Sequence, residues 1–131
     1  MAVPLNEVSA AVIAEAIPIH RDLGPGLLES VYETVLGAAL ERSGWRVSRQ
    51  HPVDLVYDGL AFPAAFRIDI LVDDRLVVEI KSVERLSKAH AKQLLTYLRL
   101  TRQPLGLLLN FNEATMKDGI RRLVNDFAEV P

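Results

Sequence analysis

The chain has 131 residues, which is enough for one ordinary domain, spanning 1–131, and too few for two. Half of the residues are hydrophobic and 24% are charged, so the chain can bury a core and is not a disordered protein. The absence of cysteine excludes disulfide scaffolds, thiolate zinc sites and cysteine nucleophiles. The net charge of -2 argues against a protein that coats nucleic acid over its whole surface.

The N-terminal segment and the apolar runs give no sign of targeting or membrane insertion. The first residues lack the basic-then-apolar layout of a signal peptide. No apolar run approaches the roughly 20 residues that a membrane span needs. We therefore expect a cytoplasmic protein that does not enter a membrane.

Two helices are predicted before any strand. Asn6 is expected to cap the first helix, and Pro18 to kink or end it before the turn at 24–26. The second helix is predicted from about 27 to 43, with Gly44 as its stop. Its expected buried stripe consists of Leu28, Val31, Tyr32, Val35, Leu36 and Ala39.

The chain then changes to the period of strands. Residues 45–57, 66–72 and 76–81 are predicted as strands, with a turn at Asp58-Gly59 after the first of them. Ser87 is expected to cap a third helix that runs to Thr101.

A last strand is predicted at 105–111, where the apolar run does not alternate and should be covered on both faces. The tail has a turn at Asp118-Gly119 and a short element whose type the sequence leaves open. The order predicts an α/β protein with a mixed sheet flanked by helices. The first three strands should be antiparallel, and the third helix should cross over to a parallel last strand.

Charged side chains interrupt the third predicted strand. Glu79 and Lys81 are two residues apart and therefore leave the same face, opposite the apolar face of that strand. Asp69 lies on the preceding strand. A two-residue turn after Val72 would put Asp69 and Glu79 on opposite faces, whereas a three-residue loop at 73–75 sets them directly opposite each other. We predict the three-residue loop.

Two carboxylates beside a lysine suit a hard cation such as Mg²⁺ or Mn²⁺. Such a metal polarises phosphate oxygens and lowers the pKa of a bound water, while a lysine orients that water or stabilises developing charge. The alternative is a surface ion pair between Glu79 and Lys81, with Asp69 at a strand end. These three residues alone do not decide between the two interpretations.

Further polar residues fall at suggestive positions. Glu29 begins the second helix, where an acid also simply favours the helix dipole. His90, Gln93 and Tyr97 share one face of the third helix, which could equally be a solvated stripe. His20 precedes the turn at 24–26, and a packed or solvated histidine is favoured there over one that faces the site.

The order of these residues resembles the PD-(D/E)XK nuclease superfamily, and more closely its small GxxExxY proteins. The segment from Gly26 to Tyr32 reproduces the GxxExxY motif, Asp69 followed by Glu79-Ile80-Lys81 matches D…ExK, and Gln93 with Tyr97 matches QxxxY. The resemblance extends from about 6 to 125. It implies a restriction-endonuclease-like αβββαβ core with an extra N-terminal helix.

The resemblance also implies roles for individual residues. Asp69 and Glu79 would bind Mg²⁺, which Mn²⁺ can replace, with the backbone carbonyl of Ile80 as a further ligand. Lys81 would assist the attacking water, and Glu29 would reach the metal from its helix. Gln93 and Tyr97 would line the site or touch the nucleic-acid backbone. One departure is that Ile68 occupies the position of the proline in the family name.

The average charge conceals a basic segment after the ExK strand. Residues 81–102 carry six bases and one acid, whereas residues 1–41 carry six acids and one base. We expect phosphate contacts in the basic segment, and a solvated helix face is the alternative. The residues expected to contact nucleic acid are Arg85, Lys88, Lys92 and Arg99.

The sequence therefore predicts a metal-dependent nuclease that hydrolyses phosphodiester bonds of DNA, with RNA as the second choice. The alternatives are a nuclease-fold module that binds nucleic acid or a partner protein without cutting, and a structural domain with salt-bridged carboxylates. A domain of this size offers limited area for gripping a duplex, so we expect a homodimer or a larger complex.

Overall fold

The structure, a computed structural model, describes residues 3–126. Its helices are α1 (Leu5–Leu23), α2 (Glu29–Arg42) and α3 (Lys88–Thr101). Its strands are β1 (Val47–Tyr57), β2 (Leu60–Val72), β3 (Leu76–Lys81), β4 (Leu105–Asn110) and β5 (Ile120–Val124), the last preceded by a 3-10 helix at Lys117–Gly119.

The five strands form one mixed sheet in the order β1-β2-β3-β4-β5. β1, β2 and β3 are antiparallel neighbours, and α3 crosses over to β4, which runs parallel to β3. The predicted α/β architecture is confirmed, with an αβββαβ core and an additional N-terminal helix. The element left open in the tail is β5, which pairs antiparallel with β4 at the edge of the sheet.

Hydrophobic cores form on both faces of the sheet. α1 and α2 cover the larger core, to which β3 contributes Leu76, Val78 and Ile80. α3 covers the smaller core through Leu94 and Leu98. All six residues of β4 are buried, as predicted for a strand between two helical layers.

A glycine in β4 brings α3 close to the sheet. A Cβ at Gly106 would lie 3.0 Å from Leu94 Cδ1 and 3.2 Å from Leu98 Cδ2. Real Cβ atoms rarely approach neighbours so closely, so a larger residue would push α3 away. Gly106 therefore helps to set the distance between α3 and the sheet.

The predictions for α1 and α2 are wrong at three points, although Tyr32, Leu36 and Ala39 of the predicted stripe are buried. α1 begins at Leu5 with Pro4 at its N-cap, and the Asn6 side chain accepts a hydrogen bond from Arg122 Nη2 (2.6 Å) instead of capping the helix. Pro18 does not end α1, which continues to Leu23 because its buried face packs on the sheet and α2. At the start of α2, Leu28 is 75% exposed and Val31 is also exposed, because the first turn projects beyond the core.

Other local expectations are confirmed. Ser87 caps α3 by accepting a hydrogen bond from the backbone of His90, and the His90 ring in turn accepts from the Ser87 backbone. The turn at Asp58-Gly59 joins β1 and β2 and has positive φ at both residues. β2 is longer than predicted and begins at Leu60. In the described part of the chain, no helix is long and apolar enough to cross a membrane.

The loop between β2 and β3 has the predicted register. Val72 pairs with Leu76 and Ile70 pairs with Val78, so 73–75 form a three-residue loop. Asp73 and Asp74 have φ of 54° and 57°, a left-handed conformation that aspartate tolerates. Asp73 also accepts a hydrogen bond from the Arg46 backbone (3.2 Å), which ties the loop to the start of β1.

Candidate active site

Asp69 lies where the pairing of β2 with β3 ends. The last cross-strand pair before it is Ile70 with Val78, and the same register sets Asp69 opposite Glu79. In place of a backbone carbonyl, Asp69 Oδ2 accepts the Ile80 N–H at 2.8 Å. The carboxylate of Asp69 therefore lies beside the backbone of β3, close to Glu79.

The side-chain alternation of β2 is broken at Asp69. Ile70 packs in the larger core, whereas Ile68 packs in the smaller core under α3. Gln50 lies opposite Asp69 in the register of β1 and has a left-handed φ of 48°. This local irregularity of the two strands, of the kind that bulges produce next to active sites, re-aims the side chain between them.

Glu79 is buried without a complete set of hydrogen bonds. It is 3% exposed, and its Oε1 has no hydrogen-bond partner among residues 3–126. Burial, followed by hydrogen bonding and repulsion from Asp69, raises the pKa of Glu79 from 4.5 to about 10, against an opposing effect of Lys81. Without a bound cation, the Glu79 carboxyl is therefore protonated at neutral pH.

Lys81, Gln93 and Tyr97 come together beside this pair. Lys81 Nζ donates to Gln93 Oε1 at 3.5 Å, so the end of β3 meets α3. The Tyr97 ring stacks on Phe66, with ring centroids 4.1 Å apart. Burial, and then the negative charges of Glu79 and Asp69, raise the pKa of Tyr97. Gln93 thus contacts Lys81, and Tyr97 lies close enough to Glu79 and Asp69 for their charges to raise its pKa.

The interpretation of Glu79 and Lys81 as a surface ion pair is wrong. Glu79 is buried rather than on the surface. The ion pairs within residues 3–126 are Arg46 with Asp74 and Arg49 with Glu33, and neither includes Glu79. The two carboxyl groups therefore do not serve as partners of a structural salt bridge.

Glu29 lies apart from the two carboxylates. It is exposed at the start of α2, and its Oε1 accepts from Ser82 N at 3.4 Å. Ser82 Oγ also donates to the Leu27 carbonyl at 2.8 Å. The first residues of α2 thus contact the residue that follows Lys81, and the structure does not bring Glu29 into one group with Asp69 and Glu79.

The tyrosine of the GxxExxY motif has a structural role. Tyr32 is buried and stacks on Phe111, with ring centroids 4.4 Å apart. Its hydroxyl donates to the Gly24 carbonyl at 2.5 Å and accepts from Leu27 N at 3.1 Å. Tyr32 therefore ties the turn between α1 and α2 to Phe111, the residue that follows β4.

Asp69 and Glu79 form a pair of carboxyl groups that no third acidic or histidine side chain of residues 3–126 joins. Within the described range, no three His, Cys, Asp or Glu side chains lie close enough to hold a metal ion together. Mg²⁺ does not require such a cage, because it commonly uses one or two carboxylates and completes its shell with water and substrate phosphate. The donor set of two carboxylates thus fits Mg²⁺ better than it fits a structural metal.

The sequence does not predict the hydrogen-bond network that links Asp69 through Gln50 to α2. Gln50 Nε2 lies 3.2 Å from Asp69 Oδ1 and 2.5 Å from Glu33 Oε1. Arg49 in turn pairs with Glu33 at 2.9 Å. From the sequence alone, a glutamate on an amphipathic helix, such as Glu33, is expected to be exposed to solvent. The one sequence feature that could indicate the network is Gly37, a glycine in the middle of α2. A Cβ at this position would lie 2.8 Å from Arg49 Cδ, so the glycine allows the Arg49 side chain to approach the helix.

The remaining predicted residues lie on α1, on α3 and in the segment before α3. Arg85 lies in the segment between β3 and α3, and Lys88, Lys92 and Arg99 lie exposed on α3. His90 belongs to the cap of α3. His20 is packed, as favoured, with its Nε2 2.8 Å from the Glu113 carbonyl.

Comparison with known proteins places the chain in a family. A model of the PD-(D/E)XK nuclease superfamily matches residues 6–123, so the chain belongs to this superfamily. The αβββαβ order and the mixed sheet agree with its restriction-endonuclease-like fold. Neither a curated protein nor a solved structure matches the chain.

The raised pKa of Glu79 predicts how stability depends on pH in the absence of metal. Between pH 4.5 and about 10 the folded chain binds the Glu79 proton more tightly than the unfolded chain does, so stability should fall as pH rises. One proton corresponds to a slope of at most about 1.4 kcal/mol per pH unit. The side chain in Glu79→Gln cannot ionise, so this variant should lose this component of the pH dependence of its unfolding free energy. The measurement is urea unfolding at pH 5, 7 and 9 in the presence of a chelator.

The matched control is Glu41→Gln, which removes an exposed carboxyl from α2 and should keep the wild-type slope. Equal slopes for the wild type and Glu79→Gln would contradict the assignment of a protonated, buried Glu79.

Proposed function

We propose that this protein is a metal-dependent nuclease that hydrolyses phosphodiester bonds, with DNA as the preferred substrate and RNA as the second choice. The observation that carries the proposal is the buried Glu79 carboxyl, which faces Asp69 and leaves Oε1 without a partner in the described chain. A buried polar atom without a partner is costly unless something binds it. A divalent cation is the ligand that two adjacent carboxylates attract.

The proposed metal is Mg²⁺, which Mn²⁺ can replace, with Asp69 and Glu79 as side-chain ligands. The Ile80 carbonyl is the proposed third ligand. The N–H and C=O of one residue leave an extended strand on the same side, and the Ile80 N–H is directed to Asp69. The Lys81 carbonyl, on the other side, accepts from Phe111 N at 2.9 Å. When bound, the cation polarises the phosphate and lowers the pKa of a bound water.

Lys81 is proposed to serve the attacking water. It leaves β3 on the same face as Glu79, and Gln93 holds its ammonium group from α3. A lysine at this place can orient the water and stabilise the charge that develops on the phosphate. Gln93 and Tyr97 would line the path of the nucleic-acid backbone on the α3 side.

Glu29 is proposed to act at the periphery of the same centre. Its carboxylate contacts Ser82, the residue after Lys81, and lies in a cleft of about 510 Å³ at the end of β3. From there it could reach the metal through a water. The motif from Gly26 to Tyr32 is also the basis for proposing the GxxExxY branch of the superfamily.

Binding of the nucleic acid is proposed to be local. The exposed bases Lys88 and Lys92 lie on the first turns of α3, and Arg85 and Arg99 extend the same basic segment. Phosphate contacts by such residues make affinity fall with salt. The limited surface of the chain supports the proposal of a homodimer or a larger complex.

A nuclease-fold module that binds nucleic acid or a partner protein without cutting is the second candidate. It is favoured by one observation, namely that Glu29 does not join the other carboxylates, which leaves two acidic ligands. Such a module would bind nucleic acid with the same salt dependence whether or not metal is present.

Substitution of Lys81 tests the proposed activity. Lys81→Ala should reduce cleavage in Mn²⁺ by about 100-fold or more, because a group that stabilises the transition state is lost. The variant should remain folded, since Lys81 is half-buried at the end of its strand. The measurement is a cleavage screen over linear, nicked, branched and single-stranded DNA and over RNA.

The matched control is Lys117→Ala, an exposed lysine on the 3-10 helix, which should cut like the wild type. Cleavage by Lys81→Ala at the wild-type rate would show that the mechanism is wrong. Salt-sensitive binding without cleavage on every substrate would favour the non-cleaving module.

A further inference from the structure

We infer that Gln50 is a positioning residue that holds the Asp69 carboxylate ready for a cation, and that the Arg49–Glu33 ion pair holds Gln50 in turn. The inference rests on the proposed function, because it concerns the same metal site. It adds three residues from α2 and β1 that touch neither the proposed metal nor the substrate.

The Gln50 amide bridges two carboxylates. Its Nε2 lies 3.2 Å from Asp69 Oδ1 and 2.5 Å from Glu33 Oε1. A primary amide has two N–H donors, so one nitrogen can serve both carboxylates at once. Gln50 is therefore fixed at one end by Glu33 and orients Asp69 at the other.

The hydrogen bonds to Asp69 leave room for a cation. Oδ1 accepts from Gln50 and Oδ2 accepts from Ile80 N, so these two donors place one hydrogen bond on each oxygen. The further interaction of Asp69, with the Glu79 carboxyl, lies on the side where the cation would bind. A carboxylate oxygen has two lone-pair directions, and one direction on each oxygen remains. The two donors thus fix the rotation of the carboxylate without using up its capacity to bind a metal.

The far end of the network is anchored in the fold. Glu33 is buried on α2, and its Oε2 accepts from Arg49 Nη2 at 2.9 Å and Nε at 3.2 Å. Gly37 lets the Arg49 side chain cross α2, because a Cβ would lie 2.8 Å from Arg49 Cδ. A buried carboxylate that is paired with arginine in this way has a defined position.

The backbone of Gln50 supports the same conclusion. Its φ of 48° is in the left-handed region, which residues with a Cβ rarely adopt. Such outliers persist where the surrounding structure holds them, and they cluster at functional sites. Here the two hydrogen bonds of the side chain hold the residue, and the outlier lies opposite Asp69 in the sheet.

The test is the affinity for Mn²⁺ without nucleic acid, measured by calorimetry on the full chain. Gln50→Met keeps the length of the side chain and removes both donors, and it should weaken Mn²⁺ binding about 10-fold or more, as loss of a group behind a metal ligand does. Thr34→Val is the matched control, because it removes another acceptor of Arg49 (2.8 Å) and leaves the bridge to Asp69 intact. The control should bind Mn²⁺ like the wild type.

A second readout separates positioning from general damage. Raising the Mn²⁺ concentration should restore cleavage by Gln50→Met but not by Lys81→Ala. If Gln50→Met fails to fold, Glu33→Gln decides, since it weakens the anchor and should lower Mn²⁺ affinity several-fold. Wild-type affinity in the folded variant would overturn this inference alone, whereas a wild type that binds no Mn²⁺ would overturn the proposed function and this inference with it.

Discussion

Asp69 and Glu79 face each other because a three-residue loop sets the register of β2 against β3. With Val72 paired to Leu76, the acids of two neighbouring strands fall opposite each other just where the backbone ladder ends. Asp69 then replaces the missing carbonyl and accepts the Ile80 N–H. A shift by one residue would move Glu79 and Lys81 away from Asp69, so the whole site depends on this register.

The helix and strand packed around the two carboxyl groups determine their chemical environment. α3 covers the face that carries Glu79, and Gly106 in β4 lets the helix approach closely. Burial and the neighbouring Asp69 then raise the pKa of Glu79 to about 10, which is a cost to stability that an apolar residue would not impose. Proteins keep such destabilising groups at functional sites. Binding of the proposed metal would offset the loss of stability caused by the buried Glu79 carboxyl.

Much of this arrangement follows from the sequence, because strands and helices have fixed periods. Alternation along β3 places Glu79 with Lys81, and a spacing of four places Gln93 with Tyr97. The bridge from Glu33 through Gln50 to Asp69 could not be predicted, since it joins a helix and two strands, and each of its polar residues alone looks solvated. The periodicity of α2 likewise predicts which side of the helix faces the core. It does not show where along the helix the core ends, so the exposure of Leu28 could not be predicted.

Anomalous diffraction from crystals soaked in Mn²⁺ would test the central claim most directly, because it locates the ion without reference to activity. We predict a peak about 2 Å from carboxylate oxygens of Asp69 and Glu79 and from the Ile80 carbonyl oxygen. Absence of this peak in Glu79→Gln crystals would support the assignment. A wild-type crystal saturated with Mn²⁺ but without a peak between Asp69 and Glu79 would contradict it.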